Sequence, residues 1–474
     1  MGTPPETRGQ PVHRDRVEER TRIERELLNR RRAARTIPVR PRPTGELRFP
    51  AAVSQEGMWQ AVESSPGPSL AIVSALRLRG PLDVAALGQA WNAVIARHET
   101  LRTAMRVEDG RLTQVVAEQV EVDLAVGELD LADLDRTVHE EVDRPFPLDH
   151  APLARLRLFR VADDDHVALL LLHHIIGEAR SLEVVVRDLA AYYVAELADR
   201  PCALPPLPLQ WVDYAAWQSE RLAGAWGSEL IAYWSTRLAG ALPAVLPTDR
   251  EQGADTSQLG EMLVVPLSHE LYGRLSALAK DHRTTLYTLG LAAFTVLLAR
   301  NSGQHDVAVN APVSCRNRTE LLDLVADFSG DVIIRTDLSG NPTFAELINK
   351  THQDVTRDFA HPDLPPHLLA PHLDAPDLVE RMSHVQFTAE HELDVLLSLG
   401  ELRTERITAS RQYVLRPLSV RLRYDAEQAV CQVRYRTSQF SPQRIERLMD
   451  QYLGVLEEMT GHQDRRVLTV VGGQ

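Results

Sequence analysis

Lysine is almost missing from this 474-residue chain, in which Lys280 and Lys350 are the only two. A mechanism that runs through a lysine Schiff base therefore has little to draw on. Cysteine is scarce too: Cys202, Cys315 and Cys431 lie far apart without CxxC spacing, so neither a disulfide framework nor a metal site is expected. Aromatic residues make up only 5% of the chain, and with an acidic body this disfavours a nucleic-acid enzyme. No apolar run approaches the ~18 residues of a membrane span, and the amino terminus is rich in Arg and Pro where a signal peptide would be apolar. A cytoplasmic protein with no membrane partner is the expectation. The GxSxG, GxxxxGK and post-strand GxGxxG patterns are absent as well, which removes three common catalytic and nucleotide-binding signatures.

Charge is present but unevenly placed. The net charge of -14 hides a segment, residues 1–48, with 13 Arg against 7 acidic residues, a net +6 that leaves -20 on the remainder. Within it, residues 17–34 are strong helix formers with Glu18 to Arg22 and Glu26 to Arg30 spaced i,i+4 for ion pairing. Pro38, Pro41, Pro43 and Gly45 then break regular structure. Residues 1–44 are expected to be a flexible basic arm, dispensable for folding, so that deletion through Arg42 leaves the melting temperature nearly unchanged. The arm is either a leader without specific contacts or a docking element, through residues 14–35, for an acidic carrier protein or synthase.

The densest chemistry lies at residues 166–181. An unbroken aliphatic run, Val167 to Leu172, too short to span a membrane, reads as a strand buried on both faces, and it ends in His173-His174-Ile175-Ile176-Gly177-Glu178-Ala179-Arg180-Ser181. Side chains alternate along a strand, so one histidine can face a cleft while the other packs away. Around this segment the chain alternates helices with strands. Residues 83–97 read as a helix opened near Asp83, residues 102–116 as a hairpin turning at Asp109-Gly110, and residues 182–197 as an amphipathic helix capped by Ser181. Residues 201–208 read as a proline-rich linker, residues 212–238 as helices, residues 284–300 as an aliphatic helix capped by Thr284 or Thr285, and residues 306–312 as a core strand.

The histidine segment resembles the HHxxxDG signature of the condensation domains of nonribosomal peptide synthetases. The resemblance extends over most of residues 45–460. Arg97 to Thr103 is similar to the family's RHExLRT motif and contains Arg97 and Arg102. Gln55 and Trp59 resemble the first motif, Arg144 to Leu148 the RPFDL element, and Asp213 to Gln218 the DYAxWQ element. Pro312-Val313-Ser314-Cys315-Arg316, Gly340 to Phe344 and Tyr435 to Phe440 are similar to late elements. The resemblance implies an α/β fold of two chloramphenicol-acetyltransferase-like lobes, residues 45–208 and 209–474, arranged as a V around a substrate tunnel.

The same resemblance implies acyl transfer: a carrier-protein-bound acyl or aminoacyl thioester passes to an amine or hydroxyl, giving an amide or an ester. No cofactor is bound directly, since the substrates ride on the phosphopantetheine of partner carrier proteins. His174 is implied as the catalytic residue, deprotonating or positioning the acceptor, and His173 as its packed partner. Such help is typically worth about 10² to 10⁴ in rate. Glu178 stands where the family has Asp, and is expected to pair with Arg97. Ala179 replaces the family's Gly and adds a Cβ. These two departures leave a second reading open, a non-catalytic module that recruits carriers or tailoring enzymes. An epimerase-like relative is a third, without a supporting motif in the second half. His361, His367 and His372, in a proline-rich stretch, read as surface or packing residues.

Overall fold

A computed structural model describes residues 36–64, 70–246, 248–250, 259–362, 364–373, 378–391, 399–407, 414 and 416–468. The chain opens with β1 (Leu47–Pro50), α1 (Val53–Ser64), β2 (Ala71–Arg79) and α2 (Val84–Arg97), followed by the hairpin β3 (Thr103–Glu108) and β4 (Arg111–Val116). Asp83 caps α2 by accepting from the Ala86 N–H, as its position before the apolar periodicity suggests. Asp109 and Gly110 both take positive φ at the hairpin turn, the geometry that Asp-Gly favours. Next come β5 (Ala125–Glu128), α3 (Leu134–Asp143), β6 (Ala154–Ala162), β7 (Asp165–His173) and α4 (Ala179–Leu197).

These elements form two sheets. One is ordered β1-β4-β3, and the other recruits β12 (Arg403–Ile407) from far down the chain to give five strands ordered β12-β2-β7-β6-β5. Strand β7 is the central member, which is why Val167 to Leu172 are aliphatic at every position and buried throughout. Trp91, Ile95, Leu158, Leu171, Val185 and Tyr193 belong to the core around it. Because β12 pairs antiparallel with β2, a division at residue 208 does not separate the sheets. Its approach brings Leu402 against Gly80, whose φ of +123° a side chain would strain.

The chain continues with α5 (Trp211–Leu222) and α6 (Ala225–Leu238), then β8 (Gly260–Pro266), α7 (His269–Asp281), α8 (Leu286–Ser302), β9 (Asp306–Ser314) and β10 (Ser329–Asp337). Thr285 caps α8. It continues through α9 (Phe344–Asp358), the short α10 (Pro366–Leu369) and α11 (Leu378–Met382), β11 (Val385–His391), β13 (Leu418–Tyr424), β14 (Ala429–Arg436) and α12 (Pro442–Gly461). Its six-stranded sheet is ordered β10-β9-β11-β13-β14-β8, and its core gathers Phe294, Val309, Phe387, Val433 and Tyr452.

The helical part of the basic arm lies outside the described residues. Its end does not behave as a free arm. Ile37 is buried in a cluster with Trp211, Tyr214, Cys315 and Phe328. Arg42 donates to Glu99 Oε1 at 2.8 Å and to Asp213 Oδ2 at 2.9 Å, while the Arg40 N–H reaches Asp213 Oδ1 at 2.7 Å. Glu99 follows α2 and Asp213 lies in α5, so this strap ties the end of α2 to α5. These contacts argue against the expectation that a deletion through Arg42 is neutral, because it would remove them. Proline-rich composition marked a break in regular structure, but an extended strap can still bury an anchor residue and make ion pairs.

Candidate active site

Strand β7 ends at His173, and the chain then tightens into a single 3₁₀ turn, His174 to Ile176. His173 is packed. Its Nδ1 accepts from the Ile175 N–H at 3.1 Å and its ring meets Phe146 edge-on. Burial, and then the neighbouring His174, push its pKa down to about 4, so it is neutral at pH 7. His174 keeps 24% of its side chain accessible and sets Nδ1 at 3.7 Å from Asp327 Oδ2. Nδ1 itself is covered, so the accessible surface belongs to other atoms of the side chain. A carboxylate near Nδ1 favours the tautomer protonated there, in which Nε2 is the basic nitrogen.

The backbone of this turn is held from both sides. The His174 N–H bonds Leu70 O at 2.9 Å, and Gln55 of α1 donates to Ile175 O at 3.2 Å. Gly177 follows in an extended conformation, and a Cβ there would stand 3.1 Å from Ser181 Cβ and 3.2 Å from Leu172 Cδ1. Helix α4 then starts at Ala179 with Glu178 as its cap. Ser181, expected as the cap, is already inside the first turn. Its hydroxyl crosses to the second lobe, donating to Ala326 O at 2.7 Å and accepting from Ala326 N at 3.1 Å.

Glu178 also crosses between the lobes, and its partner is Arg316. Arg316 Nε donates to Glu178 Oε1 at 2.8 Å, with Nη2 2.7 Å from the same oxygen, while Glu178 Oε2 accepts from the Arg180 N–H at 2.8 Å. The longer side chain thus spans an arginine and a helix amino terminus at once. Arg316 is 4% exposed and further donates to Leu321 O at 2.7 Å, Leu324 O at 2.8 Å and Ser181 Oγ at 3.1 Å. Residues 321–328, which carry Asp327, are fixed by these bonds against the histidine turn.

The expected partner, Arg97, is elsewhere. Its Nε donates to Asp188 Oδ2 at 2.9 Å, where His98 Nε2 also sits at 2.9 Å, and Arg187 bonds Asp188 Oδ1. Burial opposes the Asp188 charge, but His98 and Arg187 outweigh it and hold its carboxyl below the usual range. Arg187 continues to Asp323 in the same inter-lobe segment. Arg102 bonds Ala117 O and lies 3.7 Å from Glu99, so it shapes the strap's anchor and does not reach the histidines. Among the other histidines, His361 stacks on Tyr233 at 3.9 Å and His367 closes on Gly57. Among the described residues no group of three or more His, Cys, Asp or Glu is placed to hold a metal, and no helix is long and apolar enough to cross a membrane.

Comparison with known proteins decides the family. The Condensation domain family matches residues 47–471. A linear gramicidin synthase polypeptide from Brevibacillus parabrevis is 34% identical over 91% of this chain, which spans 6% of that protein's length. The chain belongs to the condensation-domain family. Among solved structures, the X-domain from teicoplanin biosynthesis matches at a TM-score of 0.83 with 27% identity, over 91% of this chain and 98% of that one, and the same X-domain has been solved in complex with OxyB. The two lobes are accordingly chloramphenicol-acetyltransferase-like. Within this condensation domain, Asp327, Asp188 and Asp323 escaped sequence reasoning because no short motif surrounds them. Arg316 stood in a recognised segment, but its role did not.

Proposed function

We propose that this condensation domain is catalytically competent, transferring an acyl or aminoacyl group from a carrier-protein thioester to an amine or hydroxyl. The observation that carries the reading is His174, whose side chain keeps 24% of its surface accessible while Asp327 Oδ2 lies 3.7 Å from its Nδ1. In the proposed reaction Nε2 accepts the proton of the acceptor as its nitrogen or oxygen attacks the thioester carbonyl. The tetrahedral intermediate collapses, expelling the carrier thiolate, which recovers the proton. Glu178, Arg316 and Ser181 act as positioning residues, since they fix the turn and the Asp327 segment without touching the ring. The donor is presented on the phosphopantetheine arm of a carrier protein acting on this unit, and the acceptor arrives free or on a second carrier.

A second reading is supported by the X-domain likeness and by Ala179 in place of Gly: a module without transferase activity that recruits carriers or a tailoring enzyme. One experiment separates the two. Carrier protein loaded with an acyl thioester is mixed with acceptor, and intact mass spectrometry follows the acyl group. Single-turnover transfer that falls by about 10² or more in a folded His174→Ala variant supports catalysis. Carrier binding without transfer, unchanged by that variant, supports the recruiting module.

A further inference from the structure

The six-stranded sheet buries one face under helices, and its other face is polar in part. Val309, Phe387, Val420 and Val433 point into the helix-covered core, so side chains of opposite parity share the other face. On that face Asn310, Gln386, Ser419 and Arg434 stand in register across β9, β11, β13 and β14. Strands β9 and β11 are paired at one register position only, Gln386 opposite Asn310. Side chains reinforce that contact. Gln386 Nε2 donates to Asn310 Oδ1 at 3.2 Å, and Ser419 Oγ donates to Gln386 Oε1 at 2.9 Å.

Asn310 is completely buried, yet its Nδ2 has no hydrogen-bond partner. Turning both carboxamides by half a revolution keeps the row intact and merely moves the orphan to Oδ1. One end of the Asn310 amide therefore stays unsatisfied in either arrangement, an expensive state for a buried polar group. Gln386 and Ser419 are half-buried, so the row runs from this orphan toward accessible surface. Along β9, Asn310 lies about 13 Å from Ser314 at ~3.3 Å per residue, and Arg316 of the candidate active site follows two residues later.

We propose that Asn310, Gln386 and Ser419 form a hydrogen-bonding rail that binds a secondary amide of the carrier-borne chain. An amide matches both arrangements of Asn310, because its carbonyl accepts from Nδ2 and its N–H donates to Oδ1. The inference rests on the transferase reading for the chain that would arrive there. The amide belongs either to the pantetheine arm or to the acyl group, and the test has an arm for each.

The test measures binding, so it does not depend on turnover. Stable thioether analogues of the acyl-pantetheine are prepared in matched pairs, with the amide of one segment replaced by two methylenes, and titrated calorimetrically into the whole chain. Wild type should bind the amide member of one pair on the order of tenfold tighter, the upper range for one hydrogen bond, and the pair that shows this names the source. Asn310→Leu should abolish the discrimination while retaining or raising the melting temperature, because it removes an orphan polar group. Gln386→Met should weaken it independently should Asn310→Leu misfold. Equal affinities within both pairs in wild type overturn the proposal, as does discrimination that persists in a folded Asn310→Leu. Loss of transfer with amide discrimination intact would instead count against the transferase reading alone.

Discussion

Arg316→Met tests the inter-lobe lock most directly. The substitution keeps an unbranched, apolar stem over Phe328, whose ring lies 4.4 Å from the guanidinium carbon, and deletes only the charged fork. Glu178, 14% exposed, is then left with its helix-cap bond and no countercharge, and the carbonyls of Leu321 and Leu324 lose their donor. Stranding one member of a buried pair costs about 3 to 5 kcal/mol. Glu178→Gln should cost less, about 1 to 3 kcal/mol, because Arg316 retains carbonyl and hydroxyl acceptors. The double variant removes the stranded carboxylate, so its loss should fall short of the sum by at least ~1 kcal/mol. Urea unfolding of the wild type, both single variants and the double variant gives the cycle without masking charge as a salt denaturant would. Costs that add to within about 0.5 kcal/mol would refute the lock, whatever the size of each.

Further outcomes follow from the same geometry. His173→Ala should lose about 2 kcal/mol or more of stability through an emptied packed site, read by urea unfolding, whereas His174→Ala should unfold with wild-type stability while losing transfer. His173 also sets a pH dependence. Its folded pKa of about 4 lies below the ordinary ~6.5, so the unfolded state binds the extra proton and stability is lost as pH falls from about 6.5 toward 4, by on the order of 3 kcal/mol. His173→Asn should flatten that part of the stability profile, and an unchanged slope would exclude His173 as the source. Deletion through residue 42 should destabilise the protein by about 3 kcal/mol by stranding Glu99 and Asp213, while deletion through residue 35 leaves those pairs intact. Equal melting temperatures for the two truncations would show that the strap carries no stability. If residues 14–35 dock an acidic carrier, the shorter truncation should slow transfer most at low salt, since exposed charges are screened within about 10 Å at 0.1 M.

Periodicity made much of the local structure legible, because the features that fix it are local. Six aliphatic residues in a row fit only a position covered on both faces, and β7 is the central strand of its sheet. Asp83 before α2 and Thr285 before α8 act as caps through bonds to residues three positions on. Ser181 misled for a related reason. The apolar periodicity resumes at Leu182, which makes Ser181 look like the boundary, but Glu178 accepts from Arg180 N and starts the helix a turn sooner. The freed hydroxyl then serves a bond 145 residues away, which no local pattern announces.

The pairing of Glu178 shows where sequence reasoning stops. The recognised segments hold several arginines, Arg97 and Arg316 among them, and spacing along the chain does not choose between those two. Helix α4 does. Glu178 sits at its cap and Asp188 lies ten residues on, about 15 Å up the axis at ~1.5 Å per residue. Helix α2 delivers Arg97 and His98 at the level of Asp188, too far along to reach the cap. The cap instead meets the segment after β9, which brings Arg316 to the carboxylate that Arg97 cannot reach, with Asp327 following from the same loop. A carboxylate at the start of a helix that spans both lobes' contact is therefore answered from the second lobe. The geometry of His174 then depends on how the lobes meet as much as on its own strand.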